Sequence, residues 1–104
     1  MALHLEQSER YEGDGVRDHW WSWAVWVEGP ESELDGIEYV EYTLHPTFPK
    51  PVRRIRDRAT KFRLETGGWG VFTVYAKAVR KDGAVIPLEH ELTLRFPDGR
   101  KCLD

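Results

Sequence analysis

Two short loops hold the residue types that bind or react. In the first, His45-Pro46-Thr47-Phe48, an imidazole stands two residues from a hydroxyl and three from an aromatic ring. Residues two apart in an extended segment point the same way. His45 and Thr47 can therefore hydrogen-bond, leaving the hydroxyl aimed outward in a fixed orientation. A plain turn carrying a polar His accounts for the same residues, and spacing alone does not separate the two. The second loop is Thr66-Gly67-Gly68-Trp69-Gly70. A Trp between glycines is a bulky ring on a permissive backbone. It is either a lid folded over the domain or a displayed binding platform, and the glycines let a backbone N–H approach a ligand closely. The other histidines say less. His4 and His19 fall in edge or loop positions. His90 lies in the apolar row Leu88-x-His90-x-Leu92, where a core histidine bonded to a backbone carbonyl is expected.

The inventory excludes most catalysis. No Gly-rich phosphate loop precedes a helical pattern. No Cys pair or His spacing suits zinc, so no metal and no cofactor is expected. Cys102 has no neighbouring basic motif that would make it a thiolate nucleophile. The acids form no recognisable pair with a raised-pKa setting, and no catalytic residue is assigned. The single Cys cannot form an internal disulfide, which fits an intracellular compartment. The longest uncharged run, residues 19–27, is nine residues long, whereas a membrane span needs ~20. No basic segment leads into an apolar stretch as in a signal peptide. The net charge of −3 argues against a dedicated nucleic-acid binder.

The elements that position the two loops read as β-strands. The chain of 104 residues has room for one domain, residues 1–104. It is 40% hydrophobic and 32% charged, an ordinary globular mixture, with aromatics raised to 12%. Turn signals recur at Gly29-Pro30, Asp35-Gly36, His45-Pro46, Gly67-Gly68 and Asp82-Gly83, and the runs between them are short and rich in β-branched and aromatic residues. The pattern predicts an all-β, immunoglobulin-like antiparallel sandwich of about seven to eight strands. Alternation puts Trp21, Trp23, Val25 and Val27 on one face, with Trp20 and Trp26 opposite, capped by a loop or partly exposed. Val40, Tyr42 and Leu44 share a face. Ile37 is out of phase with them, which predicts a bulge near Glu38 or Tyr39. Phe62 and Leu64 read as a strand, Phe72, Val74, Ala76 and Ala78 as a core row, and Leu88, His90, Leu92, Leu94 and Phe96 as another.

Charge is unevenly spread. Residues 28–41 hold six acids and no base, whereas residues 50–63 hold seven bases and one acid. Solvated strand faces with cross-strand ion pairs are the ordinary reading. A basic rim that orients an acidic partner is the functional one.

The order Trp23-x-Val25-x-Val27-x-Gly29-Pro30, Ile37-x-x-Val40-x-Tyr42-x-Leu44-His45-Pro46-x-Phe48, Phe62-x-Leu64, Gly68-Trp69-Gly70-x-Phe72 and Leu88-x-His90-x-Leu92 resembles the YEATS domain family. It runs from about Trp23 to Leu94 and is most similar to the compact prokaryotic branch. The resemblance implies a non-catalytic reader of acylated lysine on a protein or peptide, including acetyl-lysine and crotonyl-lysine. It places the pocket at one end of the sandwich, between two loops. His45, Thr47 and Phe48 would form one side and Gly68, Trp69 and Gly70 the other. Phe48 and Trp69 would sandwich the acyl amide. The Trp69 N–H and the Thr47 hydroxyl would donate to its carbonyl, with His45 orienting that hydroxyl. His19 or Trp20 would stand at a further pocket wall. The family's usual Ser is Thr47 here, whose methyl narrows the slot and stiffens χ1. The alternative is a protein-interaction module of a signalling or defence assembly, with no acyl pocket. The resemblance also implies a cytoplasmic setting if the source is prokaryotic, a nuclear one if eukaryotic, and leaves open a place within a larger multidomain protein.

Overall fold

The computed structural model describes residues 3–13, 20–68, 70–96 and 98–101. Seven strands form in chain order: β1 (His4–Gly13), β2 (Trp20–Glu28), β3 (Ile37–Thr43), β4 (Val52–Ile55), β5 (Leu64–Gly68), β6 (Thr73–Arg80) and β7 (Val85–Glu91). A short helix, α1 (Glu31–Asp35), links β2 to β3, and a single 3-10 turn, Arg58–Thr60, lies between β4 and β5. The strands make two antiparallel sheets, ordered β1-β2-β5 and β4-β3-β6-β7. Their inner faces close on one core, as in an immunoglobulin-like sandwich.

Strand alternation builds that core. From β2 come Trp21, Trp23, Val25 and Val27. Val40 and Tyr42 come from β3, and Val74, Ala76 and Ala78 from β6; all are buried. The ladder between β3 and β6 slips between Ile37 and Tyr39, the bulge that the phase of Ile37 predicts, and it brings Ile37 into the core. Trp26 lies on the outer face under the Arg63 guanidinium, 4.9 Å from its ring centroid.

Two expectations change. Phe62 is buried but does not belong to a strand: Lys61 and Phe62 both take left-handed backbone angles (φ 59° and 60°), and β5 begins only at Leu64. Such angles cost about 1–3 kcal/mol for a non-glycine residue. They persist here because both peptides are claimed. The Lys61 carbonyl accepts from the Val27 N–H (3.0 Å), the Phe62 N–H donates to the Asp57 carbonyl (2.9 Å), and the buried Tyr42 hydroxyl donates to the Phe62 carbonyl (2.6 Å). Burial pushes the Tyr42 phenol well above its ordinary pKa.

The row from Leu88 to Phe96 is likewise not one strand. β7 stops at Glu91, and the chain then leaves β6 to run along β1. Side chains of β1 replace the missing ladder. The Gln7 amide donates to the Thr93 carbonyl (2.6 Å) and accepts from the Thr93 N–H (2.9 Å), while the Glu9 carboxylate accepts from the Arg95 N–H (2.6 Å). His90 is only half-buried, and its Nε2 bonds the Gln7 Oε1 (2.6 Å) rather than a backbone carbonyl.

The acidic and basic runs meet as ion pairs. Arg54 bonds Glu41 (3.0 Å) and Arg56 reaches Glu38 (3.5 Å). Arg58 bonds both Glu31 and Asp35 (2.5 and 2.9 Å), and Lys61 bonds Glu28 (3.0 Å). The Glu28 carboxyl is held below its ordinary pKa by hydrogen bonds from the Trp26 indole and Lys61. Most of the basic run is therefore compensated surface. Among the described residues no helix is long and apolar enough to cross a membrane.

Candidate functional site

The end of β3 sets up the first loop. The Leu44 N–H returns to the Pro51 carbonyl (2.6 Å), and the Phe48 N–H closes a four-residue turn onto the His45 carbonyl (3.0 Å). Pro46 sits second in that turn, where its fixed φ suits the bend. The turn brings the His45 Nδ1 to 2.9 Å from the Thr47 Oγ1 and to 3.2 Å from the Thr47 backbone nitrogen. The backbone N–H can only donate. That assigns Nδ1 as an acceptor and the ring proton to Nε2.

Aromatic rings hold this turn to the sandwich. Phe48 packs edge-on to Trp23 (centroids 6.3 Å, 82°) and tilted against Phe72 (5.5 Å, 59°), and Phe72 also meets Trp23 (5.7 Å) and the His45 ring (6.0 Å). Phe48 and Phe72 are half-buried, packed inward on one face and open on the other.

The second loop supplies glycines where side chains would intrude. At Gly67 a Cβ would stand 2.8 Å from the Trp21 carbonyl oxygen and 2.9 Å from the Trp20 Nε1, so only glycine lets the Trp20 indole lie there. At Gly68 a Cβ would meet the Trp23 Nε1 at 3.8 Å and the Phe48 Cζ at 3.9 Å, which are ordinary contacts. The Trp23 indole N–H is buried without a hydrogen-bond partner among the described residues.

These parts enclose a groove of about 550 Å³ at one end of the sandwich. His45, Thr47, Phe48, Gly68, Gly70 and Trp20 all line it. Trp69 and His19 lie outside the described residues, and so does the stacking of Trp69 opposite Phe48. Sequence reasoning missed Phe72, which lines the groove although alternation assigns it to the core, and Arg53, which lines it although it reads as one base among seven. Strand phase carried a signal for both. Phe72 precedes β6 in register with Val74, and Arg53 lies opposite the buried Tyr42 in the β3–β4 ladder, which aims it inward.

The chemistry on offer is binding. The groove is mostly apolar, with the hydroxyls of Thr47 and Thr66, one imidazole and one guanidinium, and no carboxylate among its described lining residues. Among the described residues no three His, Cys, Asp or Glu side chains gather as a metal site.

Comparisons with known proteins agree with the fold. Residues 21–93 match the family model described as the prokaryotic YEATS domain. The chain is 35% identical to the protein AF-9 homolog of Saccharomyces cerevisiae over 82 residues, 74% of this chain and 35% of that protein. To the homolog of Eremothecium gossypii it is 34% identical over 92 residues, 81% and 43% of the two lengths. The chain thus spans less than half the length of these curated relatives. Among solved structures, the Yaf9 YEATS domain bound to an acetylated histone H3 peptide matches with a TM-score of 0.70 at 26% identity, covering 90% of this chain and 74% of that one. The same domain with a succinylated histone H3 peptide matches at 0.69 and 26%, covering 95% and 75%. This chain belongs to the family of prokaryotic YEATS domains.

Proposed function

We propose that this domain is a non-catalytic reader of acylated lysine, taking the neutral acyl amide into the groove at the end of the sandwich. The observation that carries the reading is the His45–Thr47 hydrogen bond set beside Phe48 at an aromatic groove with no carboxylate among its described lining residues. Acylation turns the lysine tip from an ammonium into a planar amide. Aromatic faces stack on such a plane for about 0.5–1.5 kcal/mol beyond simple burial. An unmodified ammonium would lose its hydration and find no anion in return.

The Thr47 N–H bond to Nδ1 refines the hydroxyl's part. With Nδ1 already an acceptor, the Thr47 O–H also donates to it, and the Oγ lone pairs point outward. Thr47 would then accept from the ligand amide N–H rather than donate to its carbonyl. By resemblance, the Trp69 backbone N–H would serve the carbonyl. A hydroxyl bonded to an imidazole is also the geometry of a nucleophile and its base. Among the described residues, however, no carboxylate orients the ring, which favours binding over turnover.

Titration of acetyl-lysine, crotonyl-lysine and unmodified peptides, followed by Trp fluorescence, tests the reading. Both acyl peptides should bind, crotonyl at least as tightly as acetyl, and should be recovered chemically unchanged. Trp69→Ala should abolish binding and leave the thermal midpoint near that of the parent. Absence of acyl-dependent binding, or loss of several kcal/mol of stability in Trp69→Ala, transfers the assignment to a docking module without an acyl pocket.

A further inference from the structure

The basic run divides sharply by whether its charges are met. Arg54, Arg56, Arg58 and Lys61 bond carboxylates of the acidic run, and Arg63 bonds Glu65 at 2.7 Å. Among the described residues, only Lys50 and Arg53 of this run make no ion pair, and both belong to the groove's side of the domain. Arg53 is half-buried and lines the groove, and its Nε is tied to the Lys50 carbonyl (2.5 Å). Lys50 is exposed and directly follows Pro49, another lining residue.

Strand phase explains the difference. Arg54 on the outer face of β4 and Arg56 just past its end lie over the Tyr39 ring and beside Glu41 and Glu38. Arg53 points the other way, alongside Ile55, towards the mouth of the sandwich, where no described lining residue is acidic. A guanidinium on a core-facing position normally finds a carboxylate. Here the described lining of the groove offers none, and the Arg53 Nε is tied instead to the Lys50 backbone carbonyl.

We infer that the partner of this domain is an acidic polypeptide segment, with an Asp or Glu within two residues of the acyl-lysine pairing with Arg53 and Lys50. This rests on the acyl-lysine reading above and specifies the partner's sequence chemistry. It also sets the domain apart from a reader built for the basic tails of histones. Lys50, the second unpaired cation, is exposed and outside the groove lining, which favours a flanking side chain over an anionic acyl tip as the source of the carboxylate.

The test uses acetyl-lysine peptides that differ only at the two positions on each side of the modified residue: Glu, Ala or Lys. A succinyl-lysine peptide with Ala flanks is the fourth ligand. At low salt the Glu-flanked peptide should bind about three- to fivefold more tightly than the Ala-flanked one, as for a partly exposed ion pair. The Lys-flanked peptide should bind most weakly of the acetyl series. The Glu preference should vanish in Arg53→Gln, persist in Arg54→Gln, and shrink as salt is raised. Equal binding of Glu- and Ala-flanked peptides overturns the inference while leaving the reader assignment intact. So does an Arg53-dependent gain confined to the succinyl ligand. Failure of every acyl peptide to bind removes the reader assignment and this inference with it.

Discussion

Trp21 and Trp23 stand two residues apart on the inner face of β2, and their surroundings differ completely. Both are buried. Trp21 is finished: its indole N–H donates to the Arg95 carbonyl (2.7 Å), and Tyr11 and Phe96 pack edge-on against it at 5.2 and 4.9 Å. The Gln7, Glu9 and His90 hydrogen bonds fasten the 92–96 segment over that side. Trp23 has rings around it but, among the described residues, nothing for its N–H, and Phe48 and Phe72 of those rings are also groove walls. One side of the sandwich spends its aromatics on stability. The other leaves aromatic faces and a polar atom uncommitted, which is what a binding site requires.

The largest expected difference follows from removing the finished ring. Trp21→Ala should cost about 3–5 kcal/mol, as for other large buried aromatics, measured by denaturant unfolding. For a domain of this size that is much of the total stability. A loss under 1 kcal/mol would mean that the Trp21 cluster is not the anchor described.

The paired glycines sharpen the contrast at the groove. In Gly67→Ala the new methyl meets the Trp21 carbonyl at 2.8 Å, a backbone atom that cannot swing aside. Overpacking of this kind costs about 1–3 kcal/mol. Gly68→Ala meets only ordinary contacts at 3.8 and 3.9 Å. It should fold like the parent and lose acyl-peptide affinity, because its methyl narrows the groove. Equal stability losses in both variants would contradict the strand geometry at β5.

Acid should loosen the finished side first. Desolvation holds the His90 pKa below its ordinary 6.5, against smaller opposing pulls from Glu6 and Glu91. The unfolded chain therefore takes up the proton more readily than the folded one. This contribution is fully present above pH 6.5 and is lost as pH falls through the depressed folded value. His90→Gln should flatten that part of the stability–pH curve. An unchanged curve would free His90 from the network with Gln7.

How much of this was legible in the sequence depended on whether period two continued. Along β2, β3 and β6 it did, and Trp21, Val40 and Val74 fell into place, as did the bulge at Ile37. It failed where side chains stand in for strand partners. Gln7 and Glu9 replace a ladder for residues 92–96 from more than eighty positions away, which no local pattern records. The left-handed Lys61–Phe62 pair is held by Asp57 and Tyr42, again distant groups. In the site, His45, Thr47 and Phe48 were legible because one turn contains them. Arg53 was hidden because its meaning lies in the absence of a counter-charge, and that appears only once Arg54, Arg56 and Arg58 are seen to be paired.

The smallest effect is the most diagnostic. Trp23→Phe and Trp21→Phe remove the same atoms from neighbouring buried positions, so the lost contacts and the residual cavities should roughly match. What differs is the N–H. In Trp21→Phe a made hydrogen bond is lost and the Arg95 carbonyl forfeits its donor, which adds about 1–3 kcal/mol to the cavity cost. In Trp23→Phe the deleted N–H had no partner, and removing its desolvation penalty offsets the cavity. Trp23→Phe should therefore lie within about 1 kcal/mol of the parent, and Trp21→Phe should be clearly less stable. The two unfolding curves, recorded side by side, decide the matter. Should Trp23→Phe fall as far as Trp21→Phe, the Trp23 N–H has an acceptor after all, and the asymmetry between the two sides of the sandwich collapses.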